Sequence, residues 1–254
     1  MTSHVDARPV TIITGGGRGI GAAIAERLAA EGHDLVLTYR ERRDAAERVA
    51  DGCRAAGARV EVLQLDQADL DACAELVPEA VRRLGRVTGL VNNAGITGRI
   101  GPFLDGSIEE AELVLRINVL APMALCRAAI AHMSTDRGGP GGSIVNISSG
   151  AATHGAPDTY IPYAASKAAL NTMSLGLGKE FARQGVRVNT VSPGTTRTEI
   201  HAAAGRPNAP DERAGGIPMG RPGEPHEVAG AVAYLLSDDA SYVTATDIRI
   251  SGGK

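Results

Sequence analysis

The sequence predicts a doubly wound α/β fold, a parallel sheet of about seven strands with helices on both faces. Three observations lead there. Short runs rich in β-branched residues lack the apolar/polar alternation of a half-exposed sheet, helix-patterned segments separate them along almost the whole chain, and a glycine-rich turn joins the first run to the first helix. No internal repeat or linker interrupts the rhythm, so residues 10–254 read as one domain behind a flexible N-terminal tail, 1–9.

The elements follow in order. "VTIIT" (10–14) leads to a helix near 20–31, "DLVLTY" (34–39) to one near 42–56, and "RVEVLQL" (59–65) to one near 70–84. "VTGLVNN" (87–93) precedes a helix near 108–133, and "GSIVNIS" (142–148) precedes one near 163–181. "VRVNTVS" (186–192) is followed by a helix near 225–236 and a last strand around "TDIRI" (246–250). Asp69 stands where a helix N-cap belongs. Two segments break the pattern. "STDRGGPGG" (134–142) reads as a surface loop, whereas 195–225 is too long for an ordinary connection and is expected to be a substrate-binding loop or lid.

"TGGGRGIG" (14–21) lies at the junction of the first strand and first helix. Gly15, Gly19 and Gly21 let the backbone turn tightly and approach a pyrophosphate, which the N–H groups and dipole of a helix N-terminus favour. The spacing, G-x3-G-x-G, differs from the G-x-G-x-x-G usual for dinucleotide folds, so placement at this junction carries the argument. After the second strand, Tyr39 and Arg40 stand where an acid for a ribose 2′-hydroxyl is expected, and Arg18 lies inside the glycine turn. Two cations and no acid favour a 2′-phosphate, hence NADP(H) over NAD(H).

"YIPYAASKAAL" (160–170) holds two tyrosines and a lysine. On the helix that starts here, Pro162 falls in the first turn, where its missing N–H costs nothing, and Tyr163 and Lys167 are i and i+4 on one face. Tyr160 precedes the proline and has Ala164 at its own i+4 position. A free phenol has a pKa of roughly 10, and a nearby ammonium favours the phenolate, which suits a general acid/base. Lysine occurs only at Lys167, Lys179 and Lys254, so its appearance at this spacing is informative.

Composition bounds the partners. With 43% hydrophobic and 22% charged residues, no Trp and two Phe, the chain has an ordinary globular make-up and an aliphatic core. A net charge of −3 gives no electrostatic reason to expect nucleic acid or an anionic membrane. Cys53, Cys73 and Cys126 are odd in number and lack a CxxC or His-rich companion, so neither a disulfide framework nor a metal site is indicated. No apolar run approaches the length of about 20 residues that spans a bilayer. "MTSHVDARP" lacks the apolar segment of a signal peptide, and a cytoplasmic location is expected.

"TGGGRGIG", "NNAG" (92–95), "IN" at Asn118, "SS" at Ser148 and Ser149, "YAASK" (163–167) and "SPG" (192–194) together resemble the short-chain dehydrogenase/reductase (SDR) family, from about residue 10 to the C-terminus. Within it, the segment from "SPGTTRTEI" onward is similar to the sugar-dehydrogenase-like and 3-oxoacyl-carrier-protein-reductase-like branch. The resemblance implies a single-domain Rossmann fold and an NADP(H)-dependent oxidoreductase interconverting a carbonyl and a secondary alcohol.

Carried over residue by residue, the resemblance makes Tyr163 the acid/base and Lys167 the group that lowers its pKa and holds the nicotinamide ribose. Ser149 would donate to the substrate oxygen, with Ser148 as the neighbouring alternative. Asn118 would bind a proton-relaying water, a role compatible with capping a helix kink near Pro122. Asn92 would support the sheet and cofactor loop, Asp66 would accept from the adenine amine, Thr198 would bond the carboxamide, and the backbone near Thr196 would help fix the ring. Gly15, Gly17, Arg18, Gly19, Ile20, Gly21 and Arg40, with Ala94, Gly95, Pro193 and Gly194, complete the implied cofactor contacts. Near the C-terminus, Ala245 and Ser251 replace the family's usual glycine and aspartate in a segment that packs between subunits; a homotetramer or homodimer is expected.

Ile96, Thr97, Ala151, Ala152, His154, Tyr160 and the 195–225 loop are expected to line the substrate pocket. With no charged residue at its centre, a moderately sized neutral carbonyl compound is the expected substrate. Two other functions compete. A catalytically silent dinucleotide-binding protein would have lost the tyrosine, lysine or serine, and none is lost. A 3-oxoacyl-[acyl-carrier-protein] reductase would present a basic rim near the pocket, to which Arg127, Arg137 and Arg183 could contribute.

Overall fold

Strands without apolar/polar alternation need cover on both faces, and the chain supplies it. In the computed structural model, which describes residues 8–200 and 205–254, the strands are β1 (Val10–Ile13), β2 (Asp34–Tyr39), β3 (Val60–Gln64), β4 (Gly89–Asn92), β5 (Gly142–Ile147), β6 (Val186–Pro193) and β7 (Asp247–Ile250). They form one seven-stranded sheet in the order β3-β2-β1-β4-β5-β6-β7, with every neighbouring pair parallel.

Helices α1 (Gly19–Ala30), α2 (Arg43–Ala55) and α9 (Pro225–Leu236) cover one face, and α3 (Leu70–Leu84), α5 (Ala121–Met133) and α7 (Ile161–Glu180) the other. Ile13, Leu35, Leu37 and Val145 meet Ile24, Leu28 and Val232 on the first face. Ile12, Val36, Leu90 and Ile144 meet Leu76, Leu125 and Met133 on the second. Three shorter helices, α4 (Ile108–Leu115), α6 (Ala151–His154) and α8 (Ala209–Glu212), lie outside these layers.

Sequence order leaves β1 in opposite directions, toward β2 on one side and β4 on the other. Such a reversal opens a crevice beyond the carboxyl ends of the strands, and the functional residues gather there. Asp69 caps α3 as expected, accepting from the Asp71 and Ala72 N–H groups at 3.1 and 3.0 Å. Cys53, Cys73 and Cys126 are buried free thiols.

The structure departs from the sequence reading in several places. The single helix expected over 108–133 is divided: Arg116–Leu120 forms a π-helical turn in which the Ala121 N–H bonds Arg116 O. The joined run Ile108–Met133 is long and apolar enough by composition to cross a membrane, contrary to expectation, yet more than half of its most apolar window is buried within the fold. The long 195–225 segment contains α8, and its residues 201–204 lie outside the described residues. Of the expected tail, 1–7 lie outside the described residues as well. Arg8 and Pro9 already join the sheet at the start of β1, where Asp34 N–H donates to Pro9 O at 2.8 Å and the Arg8 Nε stands 3.3 Å from Asp34 Oδ1.

A buried polar chain ties β4 and β5 to the helix beneath them. Asn92 Nδ2 donates to Asn146 Oδ1 (2.7 Å) on the adjacent strand, and Asn146 Nδ2 donates to Ser174 Oγ (2.8 Å) on α7. Asn146 is fully buried. Asn146→Ala removes a buried bond from each partner, leaving Asn92 Nδ2 only the weak acceptor Cys126 Sγ and Ser174 only its bond to Leu170 O, so stability measured by urea denaturation falls by about 1–3 kcal/mol; an unchanged midpoint would contradict this role.

Candidate active site

The glycine turn and the loop after β4 meet at the crevice. Gly15 and Gly19 have φ of 65° and 52°, a left-handed conformation that glycine adopts without penalty. Gly21 has a different reason to lack a side chain: a Cβ there would stand 2.3 Å from Gly15 O and 2.6 Å from Asn93 Nδ2. It packs beneath the turn, while Gly15, Gly17, Gly19 and Ile20 face the cleft. Arg18 at the N-cap of α1 gives no side-chain cap, and the first turn holds no acidic residue. The first N–H groups of α1 are therefore available to an anion.

Thr14 Oγ1 accepts from both the Asn93 and Ala94 N–H groups at 3.0 Å, and Asn93 Nδ2 donates to Thr14 O at 2.8 Å. Ala94 and Gly95 are thereby held on the cleft wall. Asn92, expected at the cofactor, points away from it into the buried polar chain, because strand alternation sends its side chain beneath the sheet. The neighbouring Asn93 faces the cleft instead.

The far end of the cleft is formed by the tips of β2 and β3. Thr38, Tyr39, Arg40, Leu65, Asp66 and Gln67 stand here. Arg18 pairs with Glu199 at 3.2 Å, and Arg40 pairs with Glu41; both pairs are exposed, so they restrain these guanidiniums little. Arg42 and Arg48, which the sequence reading did not single out, line the same end, bridged by Asp44 at 3.7 and 3.0 Å. Gln67 was also missed. It is buried, and neither its Nε2 nor its Oε1 has a partner among the described residues. A buried amide without partners, facing a cleft, fits a ligand with donor and acceptor edges.

At the other end, Tyr163 and Lys167 project from α7 toward Ser149. Lys167 Nζ donates to Ile147 O at 2.8 Å and stands 5.7 Å from the centre of the Tyr163 ring. Ser148 is buried and donates to Lys167 O at 3.2 Å, so its hydroxyl is occupied by the helix. Ser149 is half-exposed on the cleft wall, and its side chain faces the Tyr163 phenol closely enough to favour phenolate. The geometry thus places Ser149, not Ser148, beside the phenol.

Asn118 lies beneath them in the π turn, fully buried. Its Oδ1 accepts from the Ile96 N–H at 3.0 Å, and its Nδ2 donates to Ile96 O (2.8 Å) and Ser166 Oγ (3.0 Å). A Cβ on Gly95 would be 3.0 Å from Asn118 Oδ1 and 3.5 Å from Lys167 Nζ, so the loop passes tightly between them. Pro193, Gly194, Thr196 and Thr198 complete the wall after β6.

Burial, not mutual charge, governs the pair in the free protein. The sequence reading expected Lys167 to lower the Tyr163 pKa. Instead desolvation pushes the phenol up to about 12, opposed by Ser149 and reinforced by Tyr160. Desolvation likewise lowers Lys167 from 10.5 to about 8. Losing hydration disfavours the charged form of both groups.

These features occupy one cleft of roughly 1630 Å³, larger than the roughly 300–1,000 Å³ of a typical small-molecule site. A family model described as Enoyl-(Acyl carrier protein) reductase matches residues 15–254. The "Uncharacterized oxidoreductase YgfF" of Escherichia coli (strain K12) is 41% identical over 96% of this chain and 99% of its own. The chain belongs to the short-chain dehydrogenase/reductase family. It is an oxidoreductase acting on CH–OH groups with NAD(P). "3beta-hydroxysteroid dehydrogenase 1" of Eggerthella lenta is 38% identical over 95% of this chain and 92% of its own. Two solved structures share the fold at TM-score 0.88: a short chain dehydrogenase from Burkholderia cenocepacia J2315 in complex with NADP (34% identity; 97% of this chain, 98% of that one), and a blue fluorescent protein from a metagenomic library in complex with NADPH (36%; 96% and 97%).

The substrate end of this short-chain dehydrogenase/reductase differs from expectation. Ile96, Thr97, Ala151, His154 and Tyr160 line the cleft, but Ala152 does not. Arg213 and Arg249 do; Arg213 comes from the 195–225 loop expected here, whereas Arg249 was not visible as a pocket residue, because it arrives from the last strand. The basic rim sought in Arg127, Arg137 and Arg183 is absent from the cleft wall. Arg137 and Arg183 precede β5 and β6, at the opposite ends of the strands from the crevice.

The Lys167 shift has a measurable consequence. Between its folded value of about 8 and the ordinary 10.5, the unfolded chain binds more protons than the folded one, so stability rises with pH there. Urea denaturation across this window is expected to show wild type gaining stability relative to Lys167→Met; parallel pH profiles would refute the assignment.

Proposed function

We propose that this protein is an NADP(H)-dependent reductase/dehydrogenase that interconverts a carbonyl and a secondary alcohol, with Tyr163 as its acid/base. The observation that carries the reading is the grouping of Ser149, Tyr163 and Lys167 at one end of a cleft whose other reach is a glycine-lined, uncapped helix N-terminus.

The residues present suit a nicotinamide dinucleotide. The N–H groups at the start of α1 and the side-chain-free turn before it would take the pyrophosphate. Asp66 and the unpartnered amide of Gln67 would meet the adenine, and Thr196 and Thr198 the nicotinamide end. When bound, NADP(H) supplies or accepts the hydride. Arg18 and Arg40 favour the 2′-phosphate over the bare ribose hydroxyl, and Arg42 and Arg48 add to the positive field there.

The chain's own groups handle the proton. Burial keeps Tyr163 protonated near neutral pH, ready to donate to a carbonyl oxygen while the Ser149 hydroxyl holds that oxygen. In the reverse direction Tyr163 accepts the alcohol proton, and a charged Lys167 makes the phenolate less costly. Asn118 fixes the loop at Ile96 and stands beside Lys167, where a bound water would link Lys167 to solvent. Exposed Leu115, Leu120 and Met123 on the α4–α5 run and Leu175 on α7 support association with further copies of this chain, as a homodimer or homotetramer.

Two experiments test the reading. NADPH oxidation is measured against a panel of ketones, quinones, keto-sugars and 3-oxoacyl thioesters; Tyr163→Phe is expected to lower kcat by about 10²–10⁴ while retaining NADPH binding by fluorescence. Unimpaired turnover in this variant would remove Tyr163 from the mechanism. Arg18→Ala and Arg40→Ala are each expected to reduce the ratio of kcat/KM for NADPH to that for NADH by about tenfold or more. An unchanged ratio in both would assign cofactor choice elsewhere.

A further inference from the structure

The arginines of the 195–225 loop behave differently from one another. Arg197 pairs with Asp211 (2.7 Å) and Glu224 (3.2 Å), Arg206 with Glu212 (2.7 Å), and Arg221 with Glu227 (2.7 Å). Arg213 has no carboxylate partner among the described residues. Following α8, it turns into the cleft, with its guanidinium 5.8 Å from the centre of the Tyr160 ring and Nη1 donating to Tyr160 Oη at 3.3 Å. Tyr160 in turn stands edge-on to Tyr163, ring centres 5.1 Å apart. One aromatic ring therefore separates an unneutralised guanidinium from the acid/base.

A second cation lines the same cleft. Arg249, on β7 across from Ser192, reaches α6 and donates to Thr153 Oγ1, again with no carboxylate partner among the described residues. Of the acids lining the cleft, Glu199 stands 3.2 Å from Arg18 and Glu110 accepts from the Ser107 N–H at the start of its own helix, and neither pairs with Arg213 or Arg249. His154, at the end of α6, lines the cleft within reach of both charges. Burial foremost, then the charges of Lys254, Arg249 and Arg213, hold its pKa below the ordinary value, so at neutral pH it is chiefly a neutral hydrogen-bonding group.

We propose that Arg213, together with Arg249, binds an anionic oxygen group, carboxylate or phosphate, on a substrate whose carbonyl or hydroxyl lies against Tyr163 and Ser149. This rests on the carbonyl/alcohol reading above and replaces the neutral substrate expected from sequence. A planar guanidinium seated on an aromatic face and free of other ion pairs is preorganised for an oxyanion. The reaction is unchanged: hydride adds to the carbonyl carbon, the proton from Tyr163 goes to its oxygen, and the anionic group stays intact.

The test uses matched pairs: short 3-oxo acids against their methyl esters, and dihydroxyacetone phosphate against dihydroxyacetone. The full-length protein is expected to favour an anionic member, with the acid and phosphate arms separating the two headgroups. Arg213→Gln lowers the anionic-to-neutral ratio of kcat/KM by about 10–100-fold, Arg213→Lys restores part of it, and Arg206→Gln, on the outer surface, leaves it alone. A wild-type ratio at or below one, or one that Arg213→Gln does not change, overturns the proposal. Tyr163-dependent turnover of the neutral members would in that case keep the proposed function standing.

Binding is read separately, as the melting-temperature shift of Tyr163→Phe with NADP(H) present. Stabilisation by the acid or phosphate but not its neutral partner, lost in Arg213→Gln, supports the proposal even without turnover. Its absence overturns it.

Discussion

The hydroxyl of Thr14 holds the rest of the site in register. As the chain leaves β1 it meets the chain leaving β4, and a single oxygen accepts the N–H groups of both Asn93 and Ala94. Asn93 returns the contact by donating to Thr14 O, and Gly21 lets α1 close against Gly15. A parallel sheet must diverge somewhere for ligands to enter between its crossovers. Here the divergence is pinned by three partly buried bonds of 2.8–3.0 Å, which hold the glycine turn against the loop carrying Gly95 and Ile96.

The end of the cleft at Tyr163 and Lys167 is positioned from below by buried polar groups. Asn92, Asn146 and Ser174 join the sheet to α7, while Ser148 holds the Lys167 carbonyl and Asn118 clamps Ile96 from the π turn. Each is buried, where an unpartnered donor or acceptor is expensive. Such bonds add modestly to net stability but allow few alternative arrangements of α7 against β5. Ser149, Tyr163 and Lys167 inherit that precision.

Placing a lysine and a tyrosine together in a nearly dry site has an electrostatic cost. Burial opposes both charged forms, and the i, i+4 contact does not outweigh it in the free protein. The arrangement leaves Tyr163 protonated and Lys167 close to changing its own charge at mildly alkaline pH. A site of this kind responds strongly to any charge introduced beside it, because the surroundings screen little. Arg213 and Arg249 stand where such a charge would be compensated.

Sequence alone was sufficient wherever the deciding interactions are local. Strand and helix alternation follows from periodicity, Asp69 from cap chemistry, the Tyr163/Lys167 face from helical spacing, and the tight first turn from glycines at a strand-to-helix junction. Six motifs in order also sufficed for the family. Tertiary structure decided the rest. Strand pleating sent Asn92 inward and Asn93 to the cleft; a bond to α7 occupied Ser148 and left Ser149 free; and enclosure reversed the expected direction of the Tyr163 shift. Gln67 and Arg249 became site residues only because the segment after β3 and β7 converge on one crevice, and packing alone decided which residue of the expected loop, Arg213, turns into it. Burial and proximity between distant segments are properties of the packed chain, and no spacing in the sequence encodes them.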